Sequence, residues 1–173
     1  MRVTTRLELG KSLSFVRLQN MAGPLSVPDP LVAAVNRYNE SFRHPSLRKL
    51  VVSELYALFP EEPACAGAKL KWPEPWPNRD NPGVYLVFGA ELVLIYVGKA
   101  WNLNSRISSY FRYASDGSRR CELRHPWKHT PMLVATISVD EDKFFEAAGL
   151  EEYLIEILQP LDNERGTKGE SAT

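Results

Sequence analysis

The stretch that decides the fold runs from Gly83 to Lys99: Gly83-Val84-Tyr85-Leu86-Val87-Phe88-Gly89-Ala90-Glu91-Leu92-Val93-Leu94-Ile95-Tyr96-Val97-Gly98-Lys99. Two β-rich runs, Val84 to Phe88 and Leu92 to Val97, flank Gly89-Ala90-Glu91, which predicts a tight hairpin. Each run carries a tyrosine, and Lys99 and Arg106 follow closely. Taken singly these residues have plain structural explanations. A strand tyrosine is usually core with a hydrogen-bonded hydroxyl, Gly98 can serve a turn, Lys99 can be solvated, and Arg106 can sit in a surface ion pair. Together they assemble phenols and cations, a chemistry suited to handling phosphate.

Downstream, Asn102 can cap a helix whose apolar arc is Leu103, Ile107, Tyr110 and Phe111. Arg106 and Tyr110, four apart, then project from one side. Residues 112 to 130 read as basic and irregular, Met132 to Val139 as a third strand, and Glu141 to Leu158 as a long helix stopped by Pro160. At about 100° per residue, Phe144, Ala147, Ala148, Leu154, Ile155 and Leu158 share one arc of that helix, and Glu151 falls at its centre. A carboxylate there is costly unless it is paired or binds a metal. Pairing with Lys99 or Arg106 and metal ligation are both open.

Upstream, alternating Val3, Thr5, Leu7 and Leu9, then Leu13 and Phe15 beyond Gly10-Lys11, predict a β-hairpin over residues 2 to 18. Asp29 is the expected cap of a helix with Pro30 at its first position and Leu31, Val35, Tyr38 and Phe42 at helical spacing. A second helix is expected from Ser46, carrying Leu47, Leu50, Val51, Leu55, Leu58 and Phe59. Six of the chain's 13 prolines, with Trp72 and Trp76, lie between Pro60 and Pro82, so regular structure is not expected there. The tryptophans are expected to pin this connector onto a neighbour.

The 173 residues suit one main domain with an appendage, and 44% apolar and 24% charged residues are ordinary for a globular protein. Net charge is zero, so the strongly basic balance of many nucleic-acid binders is absent. The distribution is uneven. Seven Lys or Arg lie between Lys99 and Lys128 against Asp116 and Glu122, while Ile137 to Glu164 carries nine acids against Lys143. Two cysteines without metal-ligand spacing fit a reducing compartment, and no signal or membrane-spanning segment is evident, so a cytoplasmic location is the default.

The residues resemble the GIY-YIG nucleases, in particular the N-terminal catalytic domain found in the incising component of the bacterial excinuclease. The likeness is carried by Ile95-Tyr96-Val97-Gly98-Lys99-Ala100, Asn102-Leu103, Arg106 to Phe111, Leu150-Glu151, Leu154-Ile155, Gln159-Pro160 and Asn163. It covers residues 81 to 165. It implies an α/β (α+β) fold, a small three-stranded antiparallel sheet flanked by helices, here preceded by an N-terminal hairpin plus two helices. The expected organisation is residues 1–80 as extension and connector, 81–165 as the nuclease domain and 166–173 as a flexible tail. The excinuclease component begins almost at this motif and continues into further domains, so the chain is not expected to be a full-length counterpart of it.

By resemblance, the family's two motif tyrosines fall on Tyr85 and Tyr96, its lysine on Lys99, its arginine on Arg106, its metal-binding glutamate on Glu151 and its late asparagine on Asn163. Tyr110 stands where many relatives have histidine. The implied activity is hydrolysis of DNA phosphodiester bonds through a single Mg²⁺ held by Glu151, with Mn²⁺ expected to substitute, possible work in repair or processing, and DNA as partner. Tyr96 and Lys99 are both candidates for the general base. Arg112, Arg119, Arg120, Arg124 and Lys128, interleaved with Tyr113 and Trp127, are candidate nucleic-acid contacts. His125 and His129 are four apart, but Pro126 argues against a helical metal pair. A sequence-specific restriction enzyme and a non-cleaving binding module are the alternatives, no membrane partner is expected, and a homodimer stays open.

Overall fold

A computed structural model describes residues 24–163. The expected hairpin over 2 to 18 and the tail 166–173 lie outside them. Along the chain run α1 (Asp29–Phe42), β1 (Tyr56–Ala57), β2 (Leu70–Lys71), β3 (Gly83–Phe88), β4 (Leu94–Ala100), α2 (Leu103–Tyr110), β5 (Phe111–Tyr113), β6 (Cys121–Leu123), β7 (Leu133–Ser138) and α3 (Glu146–Leu158). The fold is mixed α and β, as expected. The main sheet is wider than expected, with five strands in the order β2-β1-β7-β3-β4. Strand β3 pairs antiparallel with both β4 and β7, β1 is antiparallel to β7, and β2 is parallel to β1.

Both faces of β3 are covered, so its apolar residues run without a polar break. Val84, Leu86 and Phe88 enter a core shared with Val35 of α1 and Leu150 and Leu154 of α3. Tyr85 and Val87 point the other way, into a core with Leu103 and Ile107 of α2, Phe111 and Trp76. The helix after Asn102 forms as read, with the Asn102 side chain accepting the Ser105 N–H at 2.8 Å.

Several expectations are corrected. The helix from Ser46 does not form: Ser53 N–H donates to the Thr136 carbonyl at 2.8 Å and Leu58 N–H to the Met132 carbonyl at 3.0 Å. Leu50 and Leu55 to Leu58 are buried by the sheet instead. A short apolar run carries both periodicities, and the otherwise open edge of β7 decides between them. Helix α1 includes Asp29, and the Pro28 carbonyl, not an Asp29 cap, receives the first helical N–H groups. The connector contains a 3₁₀ turn (Pro63–Cys65) and β2, and residues 111–123 form a β5–β6 hairpin rather than irregular chain. The third helix starts at Glu146, after a separate 3₁₀ turn over Glu141–Lys143. The β3–β4 connection holds Glu91 and Leu92 at φ 57° and 60°.

Trp72 and Trp76 pin the connector as expected. The Trp76 indole donates to Ser108 Oγ of α2 at 3.0 Å and the Trp72 indole to the Arg119 carbonyl at 2.7 Å. Helix α1 is locked to α3 by rings, Tyr38 on Tyr153 at 5.2 Å, and by a buried pair of Arg43 with Glu146. The Arg43 guanidinium also donates to the Arg48 carbonyl, so its charge is bonded on two sides.

Removing one member of a buried pair leaves the other charge uncompensated. Arg43→Ala is therefore expected to lower unfolding stability by about 3 kcal/mol, read as a lower urea midpoint with an unchanged slope.

Candidate active site at the outer edge of the sheet

Strand β4 is an edge strand, so alternate N–H and C=O groups face outward without a strand partner. They are met by parts of α3 and the segment after it. Asp162 N–H donates to the Ile95 carbonyl at 2.7 Å. The Asn163 amide brackets Val97, accepting its N–H and donating to its carbonyl, both at 2.8 Å. Glu151 Oε1 accepts the Lys99 N–H at 2.9 Å, and Oε2 pairs with the Lys99 ammonium. Helix α3 reaches this edge because Ala147, Leu150 and Leu154 are buried against the sheet.

Glu151 is only 9% exposed, and these two bonds offset the cost of burying its charge. Of the two partners foreseen for Glu151, the structure selects Lys99. Arg106 on α2 is exposed, and its guanidinium has no hydrogen bond or ion pair among the described residues.

On the opposite face of the same edge sits a cluster of phenols. Tyr85 and Tyr96 lie nearly parallel with centroids 6.0 Å apart, and Tyr110 approaches Tyr85 with hydroxyl oxygens 3.4 Å apart. Trp127 stands edge-on to Tyr96 at 5.7 Å and to Tyr110 at 5.6 Å. Gly98, directly opposite Tyr85 in the register, makes the cluster possible: a Cβ there would lie 2.4 Å from the Tyr85 hydroxyl and 2.8 Å from Tyr96 Cε1. Gly98 serves this close approach within a strand, not a turn. Gly83 is constrained by backbone, since a Cβ would lie 2.1 Å from the Ile137 carbonyl oxygen.

Burial pushes the Tyr85 phenol far up, reinforced by Tyr110 and Tyr96 and opposed by Arg106. Tyr96 is raised too, by burial first, then by Tyr110 and Glu151, against the Tyr85 hydroxyl and Arg106. In the resting fold desolvation thus outweighs the lowering of Tyr96 by the Tyr85 hydroxyl and Arg106.

The basic segment is less available than its sequence suggests. Arg120 pairs with Asp116 at 2.8 Å and Arg124 with Glu122 at 2.8 Å. Arg112 Nε donates to the Ser108 carbonyl at 3.2 Å, and Arg119 lies 5.8 Å from the Tyr113 ring centroid. Of these four, Arg124 meets the edge cluster through its main chain, its N–H donating to the Tyr110 carbonyl at 2.8 Å, while its side chain is taken by Glu122. His129 is partnered by Asp162 at 2.6 Å, and His125 packs on Tyr110, so the histidines form no metal pair.

Residues 81–163 match the family model described as a UvrC-like GIY-YIG domain. These residues, just under half of the chain, form a UvrC-like GIY-YIG domain. The UvrABC system protein C of Koribacter versatilis is 44% identical over 84 residues, which are 48% of this chain and 13% of that protein. The same-named protein of Flavobacterium psychrophilum is 37% identical over 84 residues, 49% of this chain and again 13% of the relative. The chain thus spans about an eighth of the length of these relatives. A solved GIY-YIG N-terminal endonuclease domain of UvrC from Thermotoga maritima, bound to magnesium as its catalytic divalent cation, aligns at 29% identity and TM-score 0.34. That alignment covers 50% of this chain and 88% of that one.

Within the GIY-YIG domain, β3 carries Tyr85, β4 carries Tyr96 and Lys99, α2 carries Arg106 and Tyr110, α3 carries Glu151, and Asn163 closes the edge. No group of three or more His, Cys, Asp or Glu converges among the described residues. The carboxylate that the structure sets at this edge beside Lys99 is Glu151. That donor set fits Mg²⁺, which keeps most of its waters and takes one or two carboxylates besides phosphate oxygens. The half-exposed Lys99 side chain can swing off Oε2 to free it.

Beside Lys99 and Arg106 opens a cleft of about 630 Å³ whose wall includes Trp101, Phe144 and Phe145. These aromatics are not among the site residues read from the sequence, which puts Phe144 on the arc of the last helix. In the structure Phe144 lies ahead of α3 and stacks on Trp101. A slightly larger hollow of about 700 Å³, across α2 and bordered by Trp72, Trp76 and Arg112, holds neither Glu151 nor the three tyrosines.

Two outcomes follow from the tyrosine packing. Gly98→Ala is expected to force the Tyr85 and Tyr96 rings apart, costing about 1–3 kcal/mol of stability and changing the near-ultraviolet circular dichroism. Because the phenols titrate higher in the folded chain than the ~10 of an unfolded tyrosine, the folded state holds more protons above that pH. Their contribution to stability is present in full below pH ~10 and falls as pH rises beyond it. Urea titrations across this range check the sign, with Tyr85→Phe expected to flatten the decline.

Proposed function

We propose that the chain is a metal-dependent DNA endonuclease that uses Mg²⁺, with Mn²⁺ able to replace it. The observation that carries this reading is one buried carboxylate, Glu151, held at the edge of β4 beside a phenol cluster and an arginine with no partner of its own among the described residues. The UvrC-like domain supports it, and the relatives' name supports a role in excision repair of DNA. A binding module that does not cleave accounts for the bond of Glu151 to the Lys99 N–H but gives no reason to set a carboxylate, which repels phosphate, beside Arg106 and the phenols.

Hydrolysis of a phosphodiester needs a deprotonated water, neutralisation of the phosphate oxygens and support for the leaving oxygen. A divalent cation at Glu151, when bound, supplies positive charge toward the phosphate and the leaving oxygen. Arg106 offers a planar fork of donors that matches two phosphate oxygens. Lys99, once released from Oε2, adds a second cation. Tyr96, as the phenolate left once its own proton has passed to solvent, takes the proton of the attacking water; burial disfavours that form, so further positive charge must enter the site to reach it. Tyr85 and Tyr110 hold one another and fix the Tyr96 ring, and Asn163 keeps the strand edge in register.

Purified protein is expected to nick supercoiled plasmid with Mg²⁺ and to stop in excess chelator. Glu151→Gln keeps an acceptor for the Lys99 N–H but removes the charge, so it is expected to abolish cleavage with an unchanged melting profile. Undiminished nicking by this variant would overturn the metal assignment. Tyr96→Phe is expected to lose about a hundredfold in rate, the lower range for a lost general base, and near wild-type turnover would transfer that role to Lys99.

A further inference from the structure

Three aromatic side chains stand exposed where a globular surface ordinarily places polar ones. Trp101 is 71% exposed, Phe144 38% and Phe145 67%. They come from two separate segments, the turn between β4 and α2 and the turn before α3. Trp101 and Phe144 stack with centroids 3.7 Å apart and planes at 25°, and Phe145 meets Phe144 edge-on at 6.1 Å. A contact that merely stapled the two turns together would leave neither Trp101 nor Phe145 so open. The rings form a preassembled platform, and contiguous exposed apolar surface of this kind marks a binding site.

The platform's surroundings define what it binds. The cleft it borders is lined by Arg106 and by Lys99, whose ammonium is paired with Glu151, with Asn102, Ser105 and Ser109 as hydrogen-bonding neighbours. Cations beside a flat aromatic surface suit a ligand that is anionic at one end and planar and aromatic at the other. An apolar peptide would use the rings but gain nothing from the charges. A nucleotide uses both. We propose that Trp101, Phe144 and Phe145 stack an unpaired nucleobase next to the phosphate held by Arg106, so that the substrate is DNA with an unpaired nucleotide at the cut. In an intact duplex both faces of each base are already covered by neighbours, and presenting one to Trp101 requires unstacking it. This inference rests on the nuclease reading for its account of the phosphate, and extends it to the substrate class.

The test is binding of the full chain, in chelator, to fluorescently labelled single strands, perfect duplexes and duplexes with one unpaired nucleotide. Trp101→Ala is expected to weaken binding to the single-stranded and unpaired-nucleotide DNA about tenfold, the scale of one base stacked on an aromatic side chain, and to change duplex binding less than twofold. Trp101→Phe is expected to recover most of the loss. Replacing the unpaired nucleotide with an abasic one should make wild type and Trp101→Ala bind alike, because the base that stacks is gone. A 2-aminopurine at that position is expected to be quenched by wild type and not by Trp101→Ala. Equal losses on all DNAs, a loss that persists on the abasic strand, or no loss would each overturn the proposal. So would self-association that Trp101→Ala abolishes while single-strand affinity is unchanged, which would make the platform a contact between copies. Because binding is read without metal, failure here is separate from failure to cleave: a protein that nicks plasmid but ignores Trp101→Ala keeps the nuclease reading and loses this one.

Discussion

The unpaired edge of β4 is the constraint from which the rest of the site follows. An open edge carries N–H and C=O groups that must find partners or water, and it invites pairing with another chain. Here the partners are Asp162, Asn163 and Glu151, which meet Ile95, Val97 and Lys99 in turn. The Asp162 main chain and the Asn163 and Glu151 side chains together replace a missing strand. Holding them there fixes the path of the chain beyond α3 and the rotation of α3 itself, which in turn sets how Arg43 and α1 pack behind it. The carboxylate proposed to hold the metal is therefore oriented by main-chain hydrogen bonding before any ligand arrives, which is the preorganisation an electrostatic site needs.

The second constraint is steric and acts on the other face of the same strands. Tyr85 and Tyr96 can lie over β4 only because Gly98 has no side chain. Their burial raises both phenols, so the resting site holds its protons tightly and has no strong base. Lys99 sits where the two faces meet, its N–H and ammonium both turned to Glu151. An ion pair of this kind, half-exposed on the Lys99 side, is weak evidence for stability in its own right. It gives the second carboxylate oxygen of Glu151 a partner.

Much of this was legible in the chain. The β3–β4 pair, the Asn102 cap, the third strand and the position of Glu151 were readable because each rests on local chemistry: alternation, a capping side chain, or the cost of a carboxylate in an apolar arc. What the sequence concealed depends on contacts between distant segments. The run after Ser46 has helical spacing, yet β7 claims it as a neighbour. Arg120 and Arg124 read as an open basic groove, yet Asp116 and Glu122 occupy them. Phe144 fits a helical arc by spacing and is drawn off it by Trp101, a residue 43 positions earlier. The choice between Lys99 and Arg106 as the partner of Glu151 was likewise invisible, because it turns on which side of the sheet edge each one lies.

That last choice has the larger consequence for specificity. With Lys99 committed to Glu151 and several of the downstream arginines engaged locally, Arg106 has a guanidinium with no partner among the described residues, and it opens onto the cleft walled by Trp101 and Phe145. Phosphate contacts from such a residue position a strand without reading its sequence. Discrimination then has to come from whatever lies beside the phosphate, and the exposed surface there is largely the aromatic one of Trp101, Phe144 and Phe145. A site with one fork for phosphate and a bare ring surface for its neighbour selects by whether a base is free to stack, and therefore by the structure of the DNA.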